Sequence, residues 1–268
     1  MHPVLIDIGP VQIRSYGFML ALSFLAGMYL AARRAKRVGV EPQQILDLSV
    51  YIILAAVVGS RLLYVLFHLE EFANPLEFFA LWRGGATFYG GLLAAILVSY
   101  AFLARKRLSF LLVADIIAPS IALGVALTRV GCFLSGCCYG KPTTHAWGVV
   151  FPPDSAAGYS AAQAAHALGL TTMSLHPTQL YAAAYGLVIF AALLALEPRL
   201  RARRGATFGL LLVLYGVARF GVDFVRFYES NARVLLDLTF NQLISIVLFA
   251  VGVLLMVRRP GPAKAGGA

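Results

Sequence analysis

Charge is scarce in this chain. Only 13% of its 268 residues are Asp, Glu, Lys or Arg, 60% are apolar, and the mean hydropathy is +0.81. Those values lie far outside the globular range, so the composition is that of a polytopic membrane protein. Lysine is scarcer still: Lys36, Lys106, Lys141 and Lys264 all fall outside the predicted spans, which excludes a rhodopsin-like retinal Schiff base. No cleavable signal is visible, and the first apolar run is long enough to span, so the first helix is expected to stay as an uncleaved anchor. No internal repeat is obvious, which tells against an inverted-repeat transporter. Acidic residues number 12 against 22 Lys and Arg, a formal charge of +10. The basic residues gather in loops and form no patterned surface, so the charge reports topology and contact with anionic lipid, and nucleic acid is excluded as a partner.

What the chain has in quantity is long apolar runs. At roughly 20 residues per crossing, spans are predicted at 15–34, 46–68, 86–104, 109–134, 178–196, 207–226 and 240–258. The expected fold is all-α, a single seven-helix transmembrane domain over residues 1–259. Basic clusters follow the first span (Arg33, Arg34, Lys36, Arg37), the third (Arg105, Lys106, Arg107), the fifth (Arg199, Arg201, Arg203, Arg204) and the seventh (Arg258, Arg259). By the positive-inside rule all four are cytoplasmic, which puts the N-terminus outside and the C-terminus inside. Residues 141–176, with Pro142, His145, Pro152, Pro153 and Asp154, are expected to form a small extracytoplasmic cap. Residues 260–268 read as a disordered basic tail.

Against that apolar background four arginines stand out, because a guanidinium keeps its charge and costs a few kcal/mol or more in lipid unless it faces a polar cavity. They are Arg61, Arg129, Arg219 and Arg226, two of them inside the constellations RVGCFLSGCCYG (129–140) and YGVARFGVDFVR (215–226). The predicted topology carries the unusual residues to one membrane face: Tyr16, Arg61, Tyr89 with Gly90 and Gly91, Arg129 to Cys138, His176 to Tyr181, and Arg219 to Arg226. Asp115 is the exception, near the cytoplasmic start of the fourth span. Tyr215, Arg219, Asp223 and Arg226, spaced by four, four and three, are expected to share one helix face. The plain alternative is that Arg219 and Asp223 neutralise each other as a structural pair. Arg129 has no such local partner, which suits a visiting phosphate or carboxylate.

Cys132, Cys137 and Cys138 are the only cysteines, within seven positions of one another. Three readings stay open: inert thiols in an apolar setting, a redox pair or reactive thiolate beside Arg129, and a metal site. Adjacent cysteines are poor spacing for tetrahedral zinc, although His145 and His176 are available to join. His176 precedes Pro177 at a helix start, where free amides suit an anion, or it anchors the loop. Arg61 ties the bundle interior or meets a lipid headgroup, and Gly59 and Ser60 permit close helix approach.

These residues together resemble the prolipoprotein diacylglyceryl transferases, seven-helix enzymes of the bacterial inner membrane. The resemblance runs along nearly the whole chain: Tyr16-Gly17, Gly59-Ser60-Arg61 with Tyr64, Gly90-Gly91, Asp115 with Pro119, His176-Pro177-Thr178-Gln179-Leu180-Tyr181, and Tyr215-Gly216 through Arg219-Phe220, Asp223 and Arg226. The family signature Gly-Arg-x-Gly-Asn-Phe-x-Asn-x-Glu-x-x-Gly keeps Arg129, Gly131, Phe133 and Gly140. Cys132 and Cys137 replace its first Asn and its Glu, Tyr89 stands where the family has a histidine, and Asp223 replaces a glutamate. The resemblance implies transfer of the diacylglyceryl group of phosphatidylglycerol, or of another anionic phospholipid, to the lipobox cysteine of a preprolipoprotein, with the site toward the outer leaflet. It implies Arg129, Arg219 and Tyr89 at the chemistry, and Cys132, Cys137 and Cys138 are candidates for it on their own account, clustered beside Arg129. Around it would lie Tyr16, Arg61, Gly90, Gly91, Gly131, Gly140, His176, Gln179, Tyr215, Asp223 and Arg226 as the lipid-binding shell. No cofactor and no metal are expected. The rival readings are a membrane thiol-disulfide oxidoreductase or sulfur-transfer enzyme using the three cysteines, and a lipid-binding transporter.

Overall fold

The computed structural model describes residues 2–9, 11–71, 74, 85, 87–167, 169–228 and 233–258; the tail expected at 260–268 lies outside them. Among the described residues are eight α-helices: α1 (Ser15–Arg37), α2 (Pro42–Phe67), α3 (Phe88–Arg105), α4 (Phe110–Leu134), α5 (Ala156–Ala167), α6 (Thr178–Leu200), α7 (Ala206–Asp223) and α8 (Phe240–Val257). Two antiparallel hairpins join them, β1 (Val4–Ile8) with β2 (Val11–Arg14), and β3 (Arg233–Leu235) with β4 (Leu238–Thr239). Six of the helices, all but α3 and α5, are long and apolar enough to cross a membrane, and α3 is a shorter apolar helix. The chain is therefore a mostly helical, polytopic membrane protein.

Its contacts divide into two units, Leu30–Val113 and Met1–Tyr29 with Ala114–Ala268. In the first, α2 and α3 touch backbone to backbone. A Cβ on Gly59 would stand 2.6 Å from the Gly90 carbonyl oxygen, and one on Gly90 would stand 2.3 Å from that of Gly59. Small residues admit this approach, and dispersion between backbones replaces the hydrophobic drive that lipid does not supply.

In the second unit, Ala118 and Ala122 of α4 pack with Ile189 and Leu193 of α6 and Leu211 of α7. The helices of this unit are positioned by polar caps as well as by packing. The Asp115 carboxylate accepts hydrogen bonds from the backbone of Gly205 at 2.6 Å and Phe208 at 2.8 Å, so α4 caps the start of α7. Amides at a helix start have no partner of their own, and a carboxylate there also suits the helix dipole. Thr239 and Gln242 form a capping box at the start of α8. Gly209 and Gly252 let α7 and α8 meet, each blocked by the other's carbonyl oxygen at 2.8 Å and 2.6 Å from an added Cβ.

Helix α7 departs from the expected span at its end. It stops at Asp223, so Arg226 does not continue the face of Tyr215, Arg219 and Asp223. The chain turns there: the amide of Phe224 donates back to Gly221, and Lys141 Nζ donates to the Phe224 carbonyl at 2.8 Å. The polar 141–176 segment also contains a helix, α5, that its proline content does not announce. Ser155 accepts from the Gly158 amide at its start, and Ala157 and Ala161 pack with Phe151 and Leu175 as a small separate core.

Candidate active site

The site grows from the C-terminal end of α4. Arg129 lies on its last turns, half-buried, and makes no ion pair or hydrogen bond among the described residues. Its electrostatic neighbours are Cys132, Cys138, Tyr185 and Tyr215. The rings of Tyr185 on α6 and Tyr215 on α7 meet edge to face with centroids 5.9 Å apart. Gly131, the residue before Cys132 in the helix, lets α1 come close: an added Cβ would stand 2.8 Å from Met19 Cβ and 3.3 Å from Tyr16 Cα. Tyr16, 40% exposed, thereby reaches the neighbourhood of Arg129 and all three cysteines.

After Leu134 the chain reverses through left-handed backbone at Gly136 (φ 66°) and Cys138 (φ 61°). That turn answers the objection raised by adjacent cysteines. Side chains of neighbours diverge in regular backbone, but here the three Sγ atoms lie within 4.8 Å of one another, all as free thiols. Thiol hydrogen bonds from Cys132 and Cys137 draw the Cys138 thiol well below its usual range, with Arg226 and Arg129 adding to the pull against burial.

The first turn of α6 fixes this loop. Thr178 Oγ1 donates to the Cys138 carbonyl at 2.8 Å, and Gln179 Nε2 to that of Cys137 at 2.7 Å. Gln179 is 0% exposed, and its Oε1 has no hydrogen-bond partner among the described residues. Next, residues 139–141 are held from both sides. Gly140 donates to the His176 carbonyl and Lys141 to that of Val225, while Phe227 donates to that of Tyr139. Gly140 is wedged where an added Cβ would stand 2.6 Å from His176 Cβ and 2.7 Å from the carbonyl oxygens of His176 and Val225. This strap brings Arg226 to the site through a bridge to Gly140, and its guanidinium lies over the Tyr228 ring at 5.5 Å. His176 itself bonds through Nδ1 to the Tyr181 hydroxyl at 3.1 Å, and its ring lies 5.8 Å from that of His145. Burial, then the neighbouring His145, holds its imidazole below the usual histidine range.

Arg219 occupies a different setting. It pairs with Asp223 at 2.9 Å, and its second nitrogen donates to the Tyr228 hydroxyl at 2.8 Å. Tyr228 donates to Asp223, Thr239 donates to the other carboxylate oxygen, and Asn241 donates to Tyr228 at 3.0 Å. The structural pair weighed from the sequence is therefore formed, inside a larger network. Of the remaining expected residues, Arg61, Tyr89, Gly90 and Gly91 belong to the other unit. Arg61 is buried, donates to the Gly85 carbonyl at 3.0 Å and lies over the Tyr64 ring; Tyr89 is 45% exposed; and the two glycines serve the α2–α3 contact.

Sequence reasoning missed Tyr185, Tyr228, Thr239 and Asn241 as parts of this region. Tyr185 had a signal, since Thr178, Tyr181 and Tyr185 recur at helical spacing from the α6 start. Tyr228 and its partners had none, because they meet Asp223 only once the chain has turned past α7.

Fold and site define a class: a polytopic helical membrane protein in which cationic and thiol side chains gather where helices give way to a polar cap. The family is equally plain. The model of a family described as prolipoprotein diacylglyceryl transferase matches residues 3–258. A phosphatidylglycerol–prolipoprotein diacylglyceryl transferase of Nitratidesulfovibrio vulgaris (strain DSM 19637 / Miyazaki F) is 37% identical over 271 residues, covering 98% of this chain and 96% of its own. One of the same name from Xanthomonas euvesicatoria pv. vesicatoria (strain 85-10) is 40% identical over 275 residues, covering 98% and 93%. The chain belongs to the prolipoprotein diacylglyceryl transferase family and is a diacylglyceryl transferase enzyme.

Proposed function

We propose that the chain transfers the diacylglyceryl group of phosphatidylglycerol to the lipobox cysteine thiol of a preprolipoprotein, at Arg129. The observation that carries this reading is the setting of Arg129: a half-buried guanidinium with no acidic partner among the described residues, beside two tyrosines and the thiol cluster. A cation so placed suits a phosphate, which accepts two parallel N–H bonds from a guanidinium. In the reaction the acceptor thiol loses its proton to water, its sulfur attacks the glyceryl CH2, the carbon–oxygen bond breaks, and that bond's electron pair leaves on the phosphate oxygen. Charge grows on that oxygen in the transition state, where fixed cations act most strongly. Arg129 is the direct phosphate ligand, Arg226 adds positive field, and Arg219, held by Asp223 and Tyr228, completes the wall of the headgroup site. Tyr16 and Tyr215 line the donor site, and His176 and Gln179 its mouth.

In this reading the chain crosses a bacterial plasma membrane seven times, with α3 as a span, and the site faces the outer leaflet. The basic clusters at 33–37, 105–107, 199–204 and 258–259 support that orientation, since all four then lie on the cytoplasmic side. The test is a direct assay: purified protein, phosphatidylglycerol vesicles and a lipobox peptide, read by the mass gain on the peptide cysteine. Conversion by the wild-type chain, lost with a Ser-for-Cys peptide, is expected. A chain that binds the lipid and never modifies the peptide overturns the reading.

A further inference from the structure

We propose that Cys132, Cys137 and Cys138 bind one zinc ion as three thiolate ligands, leaving its fourth position open for the acceptor thiol. Three features carry this. The three Sγ atoms already lie within 4.8 Å of one another. Tetrahedral zinc with Zn–S bonds of about 2.3 Å needs sulfurs about 3.8 Å apart, a small contraction from there. The scaffold beneath them is fixed: the Cys137 amide donates to the Cys132 carbonyl, and Gln179 and Thr178 hold the carbonyls of Cys137 and Cys138. Charge is also compensated: three thiolates and a divalent ion carry one net negative charge, with Arg129 on the same helix end as Cys132 and Arg226 bridged to Gly140 beside the loop.

The donor set then says what kind of site it is. Structural zinc sites are closed by four protein ligands, whereas catalytic ones keep three and an open position. Among the described residues no His, Asp, Glu or further Cys joins the three sulfurs. Soft thiolates select zinc over magnesium or calcium. Zinc in such a position deprotonates a thiol that coordinates it.

The functional half of the inference rests on the transfer reading above. The acceptor thiol coordinates the zinc and gives its proton to water. Its sulfur then forms the bond to the glyceryl CH2 as the carbon–oxygen bond breaks, and the electron pair departs on the phosphate at Arg129. The zinc stays divalent throughout. This supplies an activated nucleophile beside Arg129, the cation that receives the phosphate.

The test uses the full chain, expressed with zinc in the medium and purified under a mild reductant in nanodiscs. Plasma mass spectrometry is expected to find one zinc per chain, and all three thiols should resist alkylation until a chelator removes the metal. Cobalt substitution should give a thiolate-to-cobalt charge-transfer band. The cobalt ligand-field spectrum should shift on adding a lipobox peptide and not its Ser-for-Cys analogue. Cys137→Ser should lose the zinc; should that variant fail to fold, the wild-type measurements decide alone. Protein that is folded but holds no zinc, thiols that alkylate freely with zinc present, or a disulfide among the three overturns the proposal. Full transfer by zinc-stripped protein removes the zinc role and leaves the transferase reading standing. Stoichiometric zinc with no transfer leaves the metal site standing and removes that reading.

Discussion

Arg129 and Arg219 carry the same charge in opposite settings, and that contrast separates their substitutions. Arg219 is bound by Asp223 and Tyr228, so its charge is answered within the protein. Arg129 has no such answer among the described residues. Arg129→Lys should fold normally and lose transfer by roughly 30-fold to 1000-fold, because an ammonium makes a point contact where a guanidinium makes two. Measured kcat at saturating lipid, beside the thermal midpoint, checks both halves. Asp223→Asn should act the other way, lowering stability first. It leaves a buried guanidinium partly uncompensated, a loss of about 3–5 kcal/mol for a broken buried pair, read as a fall in thermal midpoint in detergent. The arginines were legible in the sequence because charge in an apolar run is conspicuous. The split between them was legible only in part: i, i+4 spacing announced Asp223, while Tyr228, Thr239 and Asn241 reach the pair across a turn that no periodicity marks.

At the scale of elements, what holds the site is a set of junctions between helix ends. Asp115→Ala removes the carboxylate that receives the Gly205 and Phe208 amides, and should lower stability by about 1–2 kcal/mol, as lost caps do. Transfer per folded molecule should be unchanged, since Asp115 is remote in the chain from the cysteine loop and its carboxylate receives the start of α7. Gly140→Ala should be more damaging, because its Cβ would meet two carbonyl oxygens and the His176 side chain. Overpacking of this kind costs roughly 1–3 kcal/mol, and the displaced strap should also cut activity, measurable as reduced kcat in whatever protein remains folded. Helix positions were readable from apolar run length, which is why the expected spans fall on α1–α4 and α6–α8. The end of α7 was not. Apolar residues Phe224 and Val225 continue the run, and the stop comes from hydrogen bonds to Lys141 and its neighbours, far away in sequence.

For the whole molecule, the proposed orientation predicts that reporter fusions after residue 204 are active only as cytoplasmic reporters, and that fusions within 141–176 are active only outside. The reverse pattern would move the site to the other leaflet. The two units bear differently on function. All of the thiols, Arg129, Arg219 and Arg226 belong to the unit containing α4 to α8, while Arg61, Tyr89, Gly90 and Gly91 belong to Leu30–Val113.

The strap at 139–141 has a bearing on how the protein is made. Its partners come from His176 and from Val225 and Phe227, so a chain emerging from the ribosome completes the cysteine loop well before the residues that fasten it. Until α6 and α7 have been made, Cys137 and Cys138 therefore ride on an unfastened segment, open to oxidants and to metal. A nascent chain arrested before Val225 should expose Cys137 and Cys138 to alkylation that the full-length protein resists.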